Sequence, residues 1–217
     1  MSENVKNSTA AERGRDVHGT RGQDARDTVT SVVLVGVGGQ GILLASEVVA
    51  RAAMRAGFDV KTNEVHGMAQ RGGSVVAQIR YGRRVFSPLV PDGQAVVLGS
   101  LERIEALRYT NYLAPDGLAV VSSQAIVPVT VSSGQATYPA DARERLTAAF
   151  ANLVYVEAED LARQAGTVRA ANLVVVGAMS RALDLPPEAW RAAIEQSVAA
   201  KHVAANLKAF EFGQAAR

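Results

Sequence analysis

The sequence of 217 residues contains no cysteine at all. That one absence excludes cysteine-held iron–sulfur clusters, thiolate catalysis and structural disulfides from this polypeptide. Charge of one sign is also lacking. The 23 basic and 21 acidic side chains leave a formal charge of +2, too small a surplus to imply a nucleic-acid surface despite a pI near 9.1. No apolar run approaches the ~18 residues of a membrane span. No apolar stretch of signal-peptide type follows the first methionine, so a cytoplasmic protein without membrane or nucleic-acid partners is expected. What remains is an ordinary globular composition, 48% hydrophobic and 20% charged, enough for one sizeable core.

Residues 1–30 differ from the rest. They carry Lys6, Arg13, Arg15, Arg21 and Arg26 against Glu3, Glu12, Asp16, Asp24 and Asp27, with few apolar residues and no period. Such a segment cannot bury enough surface to order itself, so it is expected to be a disordered extension before a folded domain over 31–217. From Ser31 the pattern changes. "SVVLVG" is a buried strand by length and β-branching. A helix from about Gln40 to Ala56 places Leu44, Val48, Ala52 and Ala56 on one face, with Glu47, Arg51 and Arg55 on the other. Gly57 caps it.

"FDVKT" is a second strand, and "SVVAQIRY" alternates Val75, Ala77, Ile79 and Tyr81 against Ser74, Gln78 and Arg80. "RVFSP" reads as a short antiparallel return strand after a turn at "GRR". Core strands follow at "QAVVLGS", "LAVVSS" and "LVYVEA", with helices at Leu101–Leu113 and around Ala140–Phe150. "VRAANLVVVGAMSRAL" is apolar almost all round, and its length and composition favour a buried helix. Pro187 suits the first turn of a helix carrying Trp190, Ile194 and Val198 on one stripe, and Val203, Leu207 and Phe210 close the chain at helical spacing. The expected fold class is α/β: a single Rossmann-like domain with a mixed, mostly parallel sheet and flanking helices.

Two segments carry the functional signal. Gly36, Gly38 and Gly41 fit G-x-G-x-x-G between a strand and a helix, with Gly39 and Gln40 opening the turn further. Such a turn lets backbone approach a ligand and offers helix N–H groups to an anion, which makes Gly36, Gly38, Gly39, Gln40 and Gly41 candidate cofactor-binding residues. A plain strand-to-helix turn is the competing explanation. A nicotinamide dinucleotide is not favoured. Asp59 falls inside the second strand, and Glu64, about 23 residues after Gly41, is followed by glycine-rich loop. That loop is the second signal. "NEVHGMAQRGGSV" gathers Glu64, His66, Gln70, Arg71, Gly72, Gly73 and Ser74, a set able to turn tightly, bind anions and exchange protons. For single side chains a hydrogen-bonded His66 and an Arg71–Glu64 ion pair are as good a reading; for the assembly, a loop shaped around a ligand or another protein is better.

Together, "VGVGGQGI", "NEVHGMAQRGGSVVAQIR" and "FSPLV" resemble the gamma-type domain of 2-oxoacid:ferredoxin oxidoreductases. "LERIEALRYTNYLAPDGLAVVSSQAIVPVTVSSGQATYP" and "KHVAANLKAFEFG" are similar to the small (beta) subunits of the indolepyruvate type, so the resemblance runs from Val32 to about Gly213. It implies one subunit of an enzyme complex. In this family thiamine diphosphate activates a 2-oxoacid, carbon dioxide leaves, electrons pass singly through [4Fe–4S] clusters to ferredoxin, and coenzyme A takes the acyl group. The indolepyruvate type yields arylacetyl-CoA from aryl pyruvates. Asp92-Gly93 and Asp116-Gly117 each follow proline where a thiamine site needs G-D-G, and both read as turns before strands. Thiamine diphosphate, magnesium and the clusters are therefore expected on a large partner subunit, with no cofactor, metal or covalent catalytic residue on this chain. The loop then faces that subunit near its thiamine site, with His66 and Arg71 shaping the substrate or coenzyme A passage and Arg80, Arg83 and Arg84 adding phosphate-binding charge if they fold beside it. A free-standing NAD(P)-dependent oxidoreductase and a purely structural subunit remain alternatives.

Overall fold

A computed structural model describes residues 28–67, 72–127 and 137–217. The expected extension thus lies almost wholly outside the described residues. Six strands form one mixed sheet: β1 (Thr30–Val37), β2 (Asp59–His66), β3 (Ser74–Gly82), β4 (Ala95–Ser100), β5 (Leu113–Ser122) and β6 (Leu153–Val156). Their spatial order is β2-β3-β1-β4-β5-β6. β1, β4, β5 and β6 run parallel, while β3 is antiparallel to both its neighbours. Around the sheet lie α1 (Ile42–Arg55), α2 (Arg103–Arg108), α3 (Ala142–Ala149), α4 (Ala158–Ala165), α5 (Ala171–Ser180), α6 (Pro187–Ser197) and α7 (Val203–Ala215). Among the described residues no helix is long and apolar enough to cross a membrane.

The central strands are apolar, largely β-branched runs buried on both faces: Val32, Val33, Leu34 and Val35 of β1 have no exposed surface. On one face α1, α4, α5, α6 and α7 pack into a single cluster with Val75, Ala77, Ile79 and Tyr81 of β3. α1 ends as its sequence requires. Gly57 at φ 86° donates its N–H to the Met54 carbonyl (3.0 Å) and Phe58 donates to Ala53 (3.1 Å). α5 is apolar all round because protein surrounds it. Added Cβ atoms at Gly177 and Gly213 would fall 2.0 Å from the Phe210 carbonyl oxygen and 1.9 Å from that of Val174, so α5 and α7 touch backbone to backbone. Trp190 of α6, 2% exposed, closes the layer against Phe210 with ring centroids 5.5 Å apart. The opposite face is thinner: α2 lies over β1, β4 and β5, and α3 packs on α2.

Three expectations are corrected here. The second strand runs on through Glu64 and His66 and pairs with β3, so the glycine-rich loop is the tip of a β-hairpin. "RVFSP" is no strand. β3 already pairs with β1 on one edge and β2 on the other, leaving no free edge for a return strand. The segment crosses the sheet as a strap, with backbone groups taken by side chains of β2 and β3: Asp59 Oδ2 accepts from Val85 N (2.8 Å), Gln78 Oε1 accepts from Val90 N (2.7 Å), and Arg80 donates to the carbonyls of Ser87 and Leu89 (both 3.2 Å). Finally, the helix expected over Leu101–Leu113 is the short α2 followed by a 3₁₀ turn at Thr110–Tyr112. Leu113 already belongs to β5, where Asp116-Gly117 occupy a register shift inside the strand.

Candidate functional site

The carboxyl ends of the parallel strands form one edge of the sheet, the place where open α/β folds set their ligand sites. Both sequence signals arrive there. β1 runs into the glycine turn, and the turn meets the hairpin: Gly38 N donates to the Gly73 carbonyl at 2.8 Å.

Within the turn the residues divide by task. Gly39 (φ 103°) and Gly41 (φ 82°) hold left-handed backbone that other residues resist. Gly36 is a packing requirement, since a Cβ there would sit 2.8 Å from Gln40 Oε1 and 3.1 Å from Leu101 Cβ. Gln40 faces inward: its Oε1 accepts from Val37 N (2.7 Å), and its Nε2 donates to the Leu101 carbonyl (2.6 Å) and to Gln124 Oε1 (2.7 Å). Its amide ties the end of β1 to the segments that follow β4 and β5 at the edge. Asn172 of α5 donates to the Gly41 carbonyl at 3.0 Å, completing the support from behind. α1 starts with no side-chain cap and no acid in its first turn. A cavity of about 560 Å³ opens beside it, walled by the turn, Gln124, Glu159, Arg169 and Asn172.

The hairpin is pinned from both sides. On the α1 side, Glu64 Oε1 accepts a hydrogen bond from Ser46 Oγ (2.9 Å). On the other, Ser74 Oγ donates to the buried carboxylate of Glu105 in α2 and lies 2.9 Å from Tyr109 Oη. Gly67 N bonds the Ser74 carbonyl (2.8 Å) and closes the base, and Gly72 takes φ 77°. His66 is exposed on the α1 side, without a hydrogen-bond partner among the described residues. Gln70 and Arg71 lie outside the described residues. Arg80, Arg83 and Arg84 do not join the tip, because β3 carries the chain away from it by roughly 20 Å at ~3.3 Å per residue.

Sequence reading missed the polar network under this edge. Glu102, 2% exposed, caps α2 by accepting from Ile104 N (2.7 Å) and Glu105 N (2.9 Å), while its Oε1 accepts from Tyr138 Oη (2.6 Å). Burial, then the Glu102 carboxylate, pushes the Tyr138 phenol up to about 12. Arg103 Nε donates to Tyr138 Oη at 3.0 Å, and that bond raises the pKa of Arg103. Glu is an uncommon helix N-cap, and a charged residue at a helix start reads as solvated, so the sequence gives little sign of this arrangement.

The residues present do not fit thiamine diphosphate or an iron–sulfur cluster. Asp92 accepts from Asn111 Nδ2 (2.8 Å) in a turn where Gly93 N bonds the Asn111 carbonyl (2.8 Å), Asp116 is part of β5, and the chain has no cysteine. Among the described residues no group of three or more His, Asp or Glu side chains is placed to hold a metal ion.

Fold and edge together define an open α/β domain whose strand-end edge is built from a braced glycine turn and a pinned hairpin. The pyruvate ferredoxin/flavodoxin oxidoreductase family matches residues 31–216, and the chain belongs to that family, as part of a multi-subunit oxidoreductase. It is 43% identical over 188 residues to the indolepyruvate oxidoreductase subunit IorB of Thermococcus kodakarensis, covering 84% of this chain and 93% of that protein. The ketoisovalerate oxidoreductase subunit VorA of Methanothermobacter thermautotrophicus is 32% identical over 190 residues, but these make up 35% of its length. Among solved structures, pyruvate oxidoreductase subunit PORC from Thermotoga maritima shares the fold, with a TM-score of 0.65 at 23% identity, covering 87% of this chain and 96% of that one. A 2-oxoglutarate:ferredoxin oxidoreductase from Magnetococcus marinus, solved with 2-oxoglutarate, coenzyme A and succinyl-CoA bound, gives the same TM-score of 0.65 at 20% identity over 86% of this chain, yet over 30% of its own.

Proposed function

We propose that the chain is the thiamine-free subunit of a 2-oxoacid:ferredoxin oxidoreductase acting on aryl pyruvates, indolepyruvate foremost. A large partner subunit carries thiamine diphosphate, magnesium and [4Fe–4S] clusters. The complex converts a 2-oxoacid and coenzyme A to acyl-CoA and carbon dioxide, and passes two electrons to ferredoxin. Residues 31–217 form the working unit, residues 1–30 are an extension, and the setting is the cytoplasm.

The observation that carries this reading is the doubly pinned hairpin. Ser46 and Glu105 hold its base rigid from opposite sides, and the glycine turn braces it through Gly73. A base so fixed presents His66 outward, and the segment that follows it carries Gln70 and Arg71 in sequence, a set suited to a neighbouring chain's substrate or coenzyme A passage. Gly39, Gly41 and the start of α1 are the part of the turn available to a phosphate, since Gly36 and Gln40 are committed to packing. Glu64 is engaged by Ser46, which argues against a ribose-reading acid and a free-standing NAD(P) enzyme. The internal engagement of Gln40 is what favours the second reading, a purely structural subunit.

The test is co-expression with the large subunit, purification of the complex and viologen reduction in the presence of coenzyme A. Indolepyruvate should exceed pyruvate and 2-oxoisovalerate in kcat/KM by about tenfold or more. Failure to co-purify, or a preference for an aliphatic 2-oxoacid, overturns the reading. His66→Ala should lower kcat/KM by about tenfold without loosening the complex; a change under about twofold leaves the structural role.

A further inference from the structure

The strap over residues 83–94 and the outer strand β2 leave one part of the sheet without a helical cover. Register places Lys61, Asn63 and Val65 of β2 beside Arg80, Gln78 and Val76 of β3. All six therefore point to the side away from α1, the helix that packs on β2 and β3. On this side α2 lies over β1, β4 and β5 and meets β3 at Ser74, while Gln78 and Arg80 hold the strap over the rest of β3. Phe86 is 83% exposed, Leu89 57% and Val65 53%.

This exposure is built in. Val85 and Val90 are buried at 4% and 5%, and the strap's backbone is held at both ends by Asp59 and Gln78 and between them by Arg80. Phe86 and Leu89 are thereby presented outward between two fixed anchors, so little ordering remains to be done on binding. Exposed aromatic and aliphatic side chains held this way mark an interaction surface. Beside it stands one positive charge, Arg84. The Arg84 guanidinium sits 4.8 Å over the Phe86 ring and meets no carboxylate among the described residues, and Asp59 is already paired with Lys61 at 2.7 Å.

Three occupants are conceivable. A second copy across a two-fold axis would bring this positive charge against its own copy, at a cost in like-charge repulsion. Residues 1–27 offer only Met1, Val5 and Val17 beyond alanine as apolar side chains, too few to cover the patch. A different chain remains. In the ketoisovalerate relative and the 2-oxoglutarate structure, the matched domain is 35% and 30% of a longer chain, so a domain of this kind does occur alongside a larger body of protein.

We propose that Phe86, Leu89 and Val65, rimmed by Arg84, form the docking face for an apolar, carboxylate-bearing surface of the large subunit. This rests on the subunit reading above and adds which face is used.

The experiment measures affinity of the full-length chain for the purified large subunit, with thermal unfolding of each variant as the fold control. Phe86→Glu combined with Leu89→Glu should weaken binding by about 100-fold or more. Arg84→Glu, which disturbs no core contact, should weaken it by about tenfold and flatten its salt dependence. Leu43→Glu with Met54→Glu, at the exposed apolar pair of α1 on the opposite side, should change it by less than about threefold. Wild-type binding untouched by the strap and Arg84 variants overturns the assigned face and leaves the subunit reading standing. A wild-type chain that does not bind the large subunit overturns both. Self-association of the isolated chain abolished by the Phe86 and Leu89 change assigns the face to a second copy and overturns the proposal.

Discussion

On one face of the sheet five helices bury Trp190, α5 and the inner side of β3; on the other, two shorter helices and a strap leave Phe86 exposed to solvent. The same strands supply both faces, with residues of β3 pointing alternately into each. The covered face is closely packed, down to the glycine contacts between α5 and α7. The open face is half finished, and its unfinished part lies over β2 and β3, the hairpin whose base meets the glycine turn at Gly73. A sheet covered so unevenly is what a domain looks like when some of its cover comes from another chain.

The largest break in that contrast is Trp190→Ala. It opens a cavity in the covered face and should cost ~3–5 kcal/mol in denaturant unfolding. A loss below ~1 kcal/mol would mean the five-helix layer is not the stabilising side. Next comes Ser74→Ala at the junction of hairpin and α2, which leaves the buried Glu105 carboxylate short of a donor and should cost ~1–2 kcal/mol. Alkaline titration probes the covered face again. Burial pushes the Tyr81 phenol up to about 12, above its unfolded value of 10. Its contribution is complete below pH 10 and is lost as pH rises through about 12. Tyr81→Phe should therefore show a shallower decline in stability over that interval. Smallest is Phe86→Ala on the open face, expected within ~0.5 kcal/mol of wild type because the ring is already in water.

Much of the covered face was legible in the sequence. β-branched runs gave β1, β4, β5 and β6, helical spacing gave α1, α6 and α7, and for the all-apolar stretch from Val168, ambiguous by period, length and composition favoured a buried helix. The open face was read less well, because its form is decided by pairing. "RVFSP" has strand-like residues, and only the occupation of both β3 edges turns it into a strap. The hairpin was hidden for the same reason: Asn63–His66 read as loop until β3 is seen beside it. At the site edge, the glycine turn and the loop could each be picked out, yet their contact through Gly38 and Gly73 could not. Gln40 looked available to a ligand because nothing local shows that Leu101 and Gln124 consume its amide. Nothing local marks Glu102 and Glu105 as buried, since burial of a carboxylate depends on partners far along the chain.

The central claim is that this chain completes a reaction centre housed elsewhere. The most direct measurement is viologen reduction by indolepyruvate and coenzyme A with three samples: this chain alone, the large subunit alone, and both. The account predicts turnover at full rate only when both are present, and none from this chain by itself, with or without NAD(P). Substantial oxidation of indolepyruvate by the isolated chain and a soluble nicotinamide, or an undiminished rate from the large subunit alone, would contradict it.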